Sequence, residues 1–269
     1  MTFRPGSICL AAALWAALCV SAPADPPPAA REAQIVFLGE AHDNPGHHAR
    51  QAEWVAALEP QVLVFEMLTE DQARQVTPEV RRDAEELAKV LDWDASGWPD
   101  FAMYFPIFEA APEAEVLGAG VPREGLDALM EGGLAAAAGV SGARFGLADP
   151  LPEDQQVARM DLQRAAHCDA LPEDMLPTMV DVQRLRDAAL AEAALQALER
   201  TGGPVAVITG NGHARTDWGA PALVQRAAPS VVVFALGQGE ASRAPEGSFS
   251  QVADAEPVDR GDPCDAFKR

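Results

Sequence analysis

Four short apolar runs, each followed within three residues by a glycine or a glutamate, constrain the fold more than any other feature of this sequence. Their hydrophobic residues are continuous rather than alternating, which is typical of strands buried on both faces of a parallel sheet. The runs are 35–38, 62–65, 205–208 and 231–234, with a weaker fifth at 115–117. Helical patterns separate them, which predicts an α/β fold with a mostly parallel sheet flanked by helices.

The intervening stretches predict the helices and one insertion. The predicted helices are 46–58, 70–91, 123–134 and 220–228. Residues 150–200 read as a helical hairpin, broken near Pro172 and Pro177, that leans over the sheet edge. We therefore expect one α/β domain at 33–240 and a C-terminal tail at 241–269, in which 249–253 is a candidate edge strand.

The N-terminal residues predict export. Arg4 precedes an apolar run at 8–20 and a small-residue cleavage site near Ala24, which is the pattern of a signal peptide at 1–24. Residues 25–32 are then a flexible, proline-rich lead-in. We expect a periplasmic protein. Lipid anchoring through Cys19 is the alternative, although Leu18 stands where a small residue normally precedes a lipidated cysteine.

Charge and cysteine content narrow the partners. The 41 acidic residues against 20 basic ones give a formal charge of −21, which disfavours nucleic acid and anionic membrane surfaces as partners. Without the leader, two cysteines remain, Cys168 and Cys264. In an oxidising compartment such an even pair predicts one disulfide, which would tie the tail to the helical insertion.

Polar residues follow three of the predicted strands. Glu40 and His42 come after the first run, Glu66 after the second, and His213 after the run at 205–208. Ligands of open α/β sheets bind beyond the carboxyl ends of the strands, and sequential strands are usually neighbours. We therefore expect these four side chains to converge. Two imidazoles with carboxylates suit Zn, Mn or Fe.

A structural explanation competes with a functional one for the first of these turns. Gly39, Asn44 and Pro45 suit a capped turn from strand to helix without any ligand. That explanation gives no reason for Glu40 and three histidines within ten residues, so we favour a functional site.

An aromatic segment at 93–108 offers a second kind of chemistry. Phe101, Tyr104, Phe105 and Phe108 have helical spacing, which is usual for a helix that buries an aromatic face in the core. Tyr104 is also the sole tyrosine of the chain, and a phenolate is a ligand for ferric haem. From the residues alone, the core explanation is the stronger.

Several motifs in order resemble the ChaN-like haem-binding uptake family. They are 37–48 (FLGEAHDNPGHH), 64–68 (VFEML), 104–111 (YFPIFEAA), 183–188 (QRLRDA) and 209–213 (TGNGH). The resemblance implies haem binding in haem or iron acquisition, with a homodimer as a possible assembly. It implies Tyr104 as the iron ligand and a histidine, His47 or His48, toward the propionates. On charge grounds, Arg123 and Arg215 are candidate propionate partners.

The strand-end pattern also resembles the wider Tiki and erythromycin-esterase-like superfamily. That resemblance implies a metal-dependent hydrolase of ester or amide bonds, with Glu40 or Glu66 as general base. His42 and His213 would then be metal ligands or catalytic imidazoles. A binding module for another small ligand, with neither haem nor catalysis, is the third alternative.

Overall fold

Six parallel strands form one sheet in the computed structural model, which describes residues 25–262, 264 and 265. The strands are β1 (Ile35–Glu40), β2 (Val62–Phe65), β3 (Glu115–Gly118), β4 (Val205–Gly210), β5 (Val233–Glu240) and β6 (Gln251–Ala255). Their order across the sheet is β3-β2-β4-β1-β5-β6. The predicted α/β class is confirmed.

Helices precede, connect and cover the strands. They are α1 (Pro28–Arg31), α2 (Pro45–Leu58), α3 (Glu70–Ala73), α4 (Ala84–Val90), α5 (Trp93–Ser96), α6 (Phe101–Ala110), α7 (Arg123–Gly132), α8 (Leu134–Arg144), α9 (Glu153–Ala166), α10 (Leu176–Thr201), α11 (Asn211–Ala214) and α12 (Ala220–Ala227), with 3-10 turns at Val80–Arg82 and Glu173–Met175. Helix α1 occupies the predicted flexible lead-in and buries Ala30.

Both faces of the sheet are buried, which explains the continuous apolar runs. Val36 and Leu38 of β1 face a core shared with α2, α4 and α6. Ile35 and Phe37 face a second core shared with α7, α8, α10 and α12. The sequence predicted that the insertion leans over the sheet edge. Its C-terminal half, α10, instead covers the second face of the sheet. Helix α9 packs on α10.

The structure corrects three further predictions. β1 and β2 are not neighbours, because β4 lies between them and pairs with both. The predicted helix at 70–91 is broken, since Asp83 caps a new helix by accepting hydrogen bonds from the amides of Glu85 and Glu86. The strand predicted at 231–234 begins at Val233 and continues to Glu240.

A strand pairing, an ion-pair cluster and a disulfide are among the contacts that hold the C-terminal tail to the rest of the molecule. β6 pairs with β5, close to the predicted edge strand. Arg260 binds both Asp43 and Glu240. The predicted disulfide between Cys168 and Cys264 is present, with the two Cα atoms 5.5 Å apart. The predicted signal peptide lies outside the described residues. Within them, no helix is both long and apolar enough to cross a membrane.

Candidate functional site

Three neighbouring strands deliver the polar residues to one edge of the sheet. Glu40 ends β1, Glu66 follows β2, and His213 lies in the short helix α11 directly after β4. Since β4 pairs with both other strands, His213 reaches Glu66, and Glu40 and His42 lie at the same edge of the sheet. The convergence expected from the sequence is therefore present, by a different strand order.

Glu40 is the centre of a buried hydrogen-bond network. Its carboxylate is 2% exposed and accepts bonds from the Tyr104 hydroxyl (2.9 Å) and from Gln51 Nε2 (2.7 Å). His42 Nδ1 lies 2.7 Å from the same carboxylate. Burial opposes protonation of His42, but the hydrogen bond to the Glu40 carboxylate and the negative charge of Glu66 raise the pKa of His42. Glu40 thus orients the His42 ring and leaves Nε2 directed away from it.

His213 lies between two buried carboxylates. Its Nδ1 is 2.6 Å from Asp187 Oδ1, and its Nε2 is 3.4 Å from Glu66 Oε1. Burial alone would lower the pKa of His213, yet the charges of Glu66 and Asp187 raise it to about 9. The resulting imidazolium is buried and paired on both sides.

Glu66 is held in its ionised form. Its Oε2 accepts hydrogen bonds from the Thr209 hydroxyl (2.6 Å) and the Gly210 amide (2.8 Å). Burial would raise its pKa, but the positive charges of His213 and His42, together with these bonds, lower it to about 2. At neutral pH Glu66 is therefore a fixed negative charge and a weak base.

A crevice of about 220 Å³ opens above these residues. Glu66, Met67, Trp98, Gly120 and Arg186 are among its lining residues. The side chain of His42 is 33% exposed, and its ring centroid lies 4.8 Å from that of Trp98. The crevice therefore combines an aromatic wall, a carboxylate and one cation, with an imidazole beside the wall.

Gly210 leaves room for His42. A Cβ atom at this position would lie 2.8 Å from His42 Nε2 and 3.7 Å from Glu66 Oε2. The first distance is shorter than side chains tolerate, so the absence of a side chain at 210 permits the present position of His42. His42 Nε2 and Glu66 Oε2 both lie within reach of this one point, which places them on the same side of the turn.

The comparisons with known proteins agree with this architecture. The family model described as "Haem-binding uptake, Tiki superfamily, ChaN" matches residues 28–224. The chain belongs to this family. No curated protein matches the sequence significantly.

Two solved structures are similar to this ChaN-like chain. One is described as cofacial haem binding to ChaN of Campylobacter jejuni, with a TM-score of 0.64, 19% identity and coverage of 81% of this chain and 86% of that one. The other is the type III effector HopBA1, with a TM-score of 0.47, 13% identity and coverage of 85% and 90%. At 19% identity, the likeness to ChaN shows a shared fold.

Tyr104 bonds within the protein in this ChaN-like fold, and its predicted role on iron stays a prediction. It is fully buried, and its hydroxyl donates to Glu40. Burial and the charge of Glu40 raise the pKa of Tyr104, so a phenolate is strongly disfavoured. His48 is also buried, stacks on Tyr104 with centroids 4.2 Å apart, and donates from Nε2 to the carbonyl of His42.

The other predicted propionate partners lie outside the crevice. His47 is buried, with Nδ1 accepting from the Ala41 amide and Nε2 donating to the Gly239 carbonyl. Arg215 is 6% exposed, donates two hydrogen bonds to the carboxylate of Asp217, and stacks on Trp218. Arg123 is exposed on α7, lies 3.9 Å from Asp127, and is not a lining residue of the crevice. The roles predicted for these residues toward propionates stay predictions.

The four predicted metal ligands do not form a metal site as placed. Within the described residues, no group of three or more His, Cys, Asp and Glu side chains has suitable geometry for an ion. Both carboxylate oxygens of Glu40 already accept hydrogen bonds from protein donors, and His213 Nδ1 is hydrogen-bonded to Asp187. Holding a metal here would require these bonds to rearrange.

Sequence reasoning missed Asp187, Gln51 and Arg186. Asp187 is fully buried on α10, with Val180, Leu185 and Ala188 as buried apolar neighbours along the same helix. A charged residue within an apolar helical face was the available signal, because a buried carboxylate requires a partner. Gln51 and Arg186 carry no such mark in the sequence.

Proposed function

We propose that this chain is an exported haem-binding protein of the ChaN-like type that acts in haem or iron acquisition. Membership of the family supports haem as the ligand. The disulfide supports export, since such bonds persist in oxidising compartments. The observation that carries the proposal is His42, whose ring is part-exposed beside Trp98 of the crevice wall, with Nδ1 held by Glu40.

The residues at the crevice fit haem. Imidazole is a common axial ligand of haem iron, and a carboxylate behind the far nitrogen makes the ring a better donor. His42 with Glu40 supplies this pair, and Trp98 supplies a ring beside it. Bound haem would contribute an iron centre with a vacant coordination position for this nitrogen. His42 takes the role that the sequence assigned to Tyr104.

Haem would lie largely on the surface of the protein. The crevice of about 220 Å³ is smaller than the roughly 300–1,000 Å³ pockets that enclose ligands of similar size. One porphyrin face would therefore remain uncovered by this chain. A structure of the similar fold is described as binding haem cofacially, which supports a homodimer in which a second copy covers that face.

The test is a hemin titration monitored by the Soret band. Wild-type protein should give a saturable band, and His42→Ala should weaken binding by about tenfold or more (about 1.4 kcal/mol per factor of ten). Tyr104→Phe tests the rival iron ligand, and because the hydroxyl is buried and bonds to Glu40, we expect it to weaken binding less than His42→Ala does. A normal band in His42→Ala, with the band lost in Tyr104→Phe, would return the iron to Tyr104.

One observation favours a second candidate, hydrolysis of an ester or amide. Asp187, His213 and Glu66 form a buried line of charges, and perturbed pKa values of this kind cluster at catalytic sites. The positive charges of His213 and His42 and the bonds from Thr209 and Gly210 hold the pKa of Glu66 low, which weakens it as the general base. His42, next to the crevice, is the better base, and a divalent metal such as Zn or Mn remains part of this alternative.

Turnover of a p-nitrophenyl ester separates the two candidates. A metal-dependent hydrolase should lose activity with a chelator and in both His42→Ala and His213→Ala. Protein that binds hemin but shows no turnover, with or without added zinc or manganese, would exclude the hydrolase.

A further inference from the structure

The crevice contains a cation without a partner. Arg186 is the one positively charged side chain among its described lining residues. It forms no ion pair or hydrogen bond with the described part of the chain, whereas nearby Arg184 binds Asp181 and the carbonyls of Gly146 and Asp149. In a chain with 41 acidic residues, an unpaired arginine at a site is an unusual arrangement.

The position of Arg186 on α10 ties it to the site. The next residue, Asp187, turns inward to His213, while Arg186 lies on the exposed side of the helix and lines the crevice with Trp98 and Glu66. Glu66, on the same crevice, is the carboxylate that faces His213, so Arg186 shares this cavity with a residue of the buried charge network. Arg186 is thus within electrostatic reach of any ligand placed here.

We infer that Arg186 binds a carboxylate of the ligand that occupies this crevice. A guanidinium presents a planar pair of donors that matches a carboxylate in a two-bond arrangement. Glu66 is ionised and paired with His213, so it would repel the carboxylate of a ligand. An anionic ligand therefore needs a separate cation. The ligand class is a flat, largely apolar molecule with a carboxylate at its edge, lying against Trp98.

This inference rests on the proposed function, in which the carboxylate is a haem propionate. It replaces the predictions for Arg123 and Arg215, because Arg215 is already saturated by Asp217 and Arg123 lies outside the crevice. It also gives the orientation of the bound haem, with the iron toward His42 and at least one propionate toward α10.

The experiment compares hemin with hemin dimethyl ester, which keeps the iron and the ring but has no carboxylate. Dissociation constants are measured from the Soret band in one buffer for wild type, Arg186→Ala, Arg186→Lys and Arg123→Ala. We expect Arg186→Ala to weaken hemin binding by about tenfold and to leave the ester unchanged. Arg186→Lys should fall between them, because a lysine keeps the charge but not the paired donors. Arg123→Ala should match wild type.

The outcomes separate this inference from the function on which it rests. Equal weakening of hemin and its ester in Arg186→Ala, or no weakening of either, overturns the role of Arg186 while haem binding stands. A loss specific to hemin in Arg123→Ala instead moves the carboxylate to α7. Wild-type protein that binds neither compound overturns both proposals.

Discussion

Asp187 should be the side chain whose removal most disturbs the site without touching the crevice. It is fully buried on α10, and its Oδ1 lies 2.6 Å from His213 Nδ1. Asp187→Ala leaves a buried imidazole with Glu66 as its one ionic partner, at 3.4 Å. We expect a marked loss of stability and a less ordered His213.

The magnitude follows from the pKa of His213. Burial works against its charge, but Glu66 and Asp187 raise the pKa from 6.5 to about 9, and each pKa unit equals about 1.4 kcal/mol, which gives about 3 kcal/mol in all. Burial also raises the pKa of Asp187, which offsets part of this gain. Breaking a buried pair by removing one partner costs about 3–5 kcal/mol. We therefore expect a loss of about 3 kcal/mol, or about 6–12 °C in Tm for a domain of this size.

The assay is urea unfolding of wild type, Asp187→Ala and Asp187→Asn from pH 6 to 10. Because the pKa of His213 is raised in the folded state, its contribution is fully present below about 6.5 and is lost as the pH rises through about 9. The difference between wild type and Asp187→Ala should therefore shrink across that interval. Asp187→Asn keeps an acceptor and should lose less. A loss below about 1 kcal/mol at pH 6, or one independent of pH, refutes the reasoning.

Two further variants test the turn and the tail. Gly210→Ala places a Cβ atom 2.8 Å from His42 Nε2, so hemin affinity should fall and the free energy of unfolding should drop by about 1–3 kcal/mol. Gly212→Ala is the control, because its Cβ atom would meet only the end of a glutamine side chain, at 3.3 Å. It should be close to wild type in both assays. Arg260 lowers the pKa of Glu240 to about 2, so Arg260→Ala should be less stable than wild type above about pH 4.5 and equal to it near pH 2 in acid unfolding curves; equal stability at pH 7 would show that this ion pair contributes nothing.

The sequence predicted the strands well because burial on both faces leaves a simple pattern. β2 matches its predicted run, and β1 and β4 each extend two residues beyond theirs, as far as the polar site. Chain order cannot reveal which strand enters between two others, and for that reason β1 and β2 were wrongly expected to be neighbours. The disulfide was predictable from compartment and number alone.

Tyr104 shows why residue type alone does not assign a role to a side chain. A lone tyrosine on an aromatic helix is consistent with both a core position and a haem ligand, and the pattern of α6 does not separate them. In the structure the hydroxyl of Tyr104 donates a hydrogen bond to Glu40, and burial together with the charge of Glu40 raises the pKa of Tyr104. That contact joins residues 64 positions apart, and no local signal in either segment announces it.

The strand order itself accounts for the charge balance of the site. Adjacent β1 and β2 would place Glu40 and Glu66 side by side, and two buried carboxylates at one strand edge repel each other and resist ionisation. With β4 between them, Glu66 bonds to Thr209 and Gly210 of that strand and faces His213 of the following turn. Glu40 is left to orient His42. Because β4 separates the two strands, each glutamate has its own hydrogen-bond donors and positive neighbour. The ring of His42 remains part-exposed beside them, where a ligand can reach it.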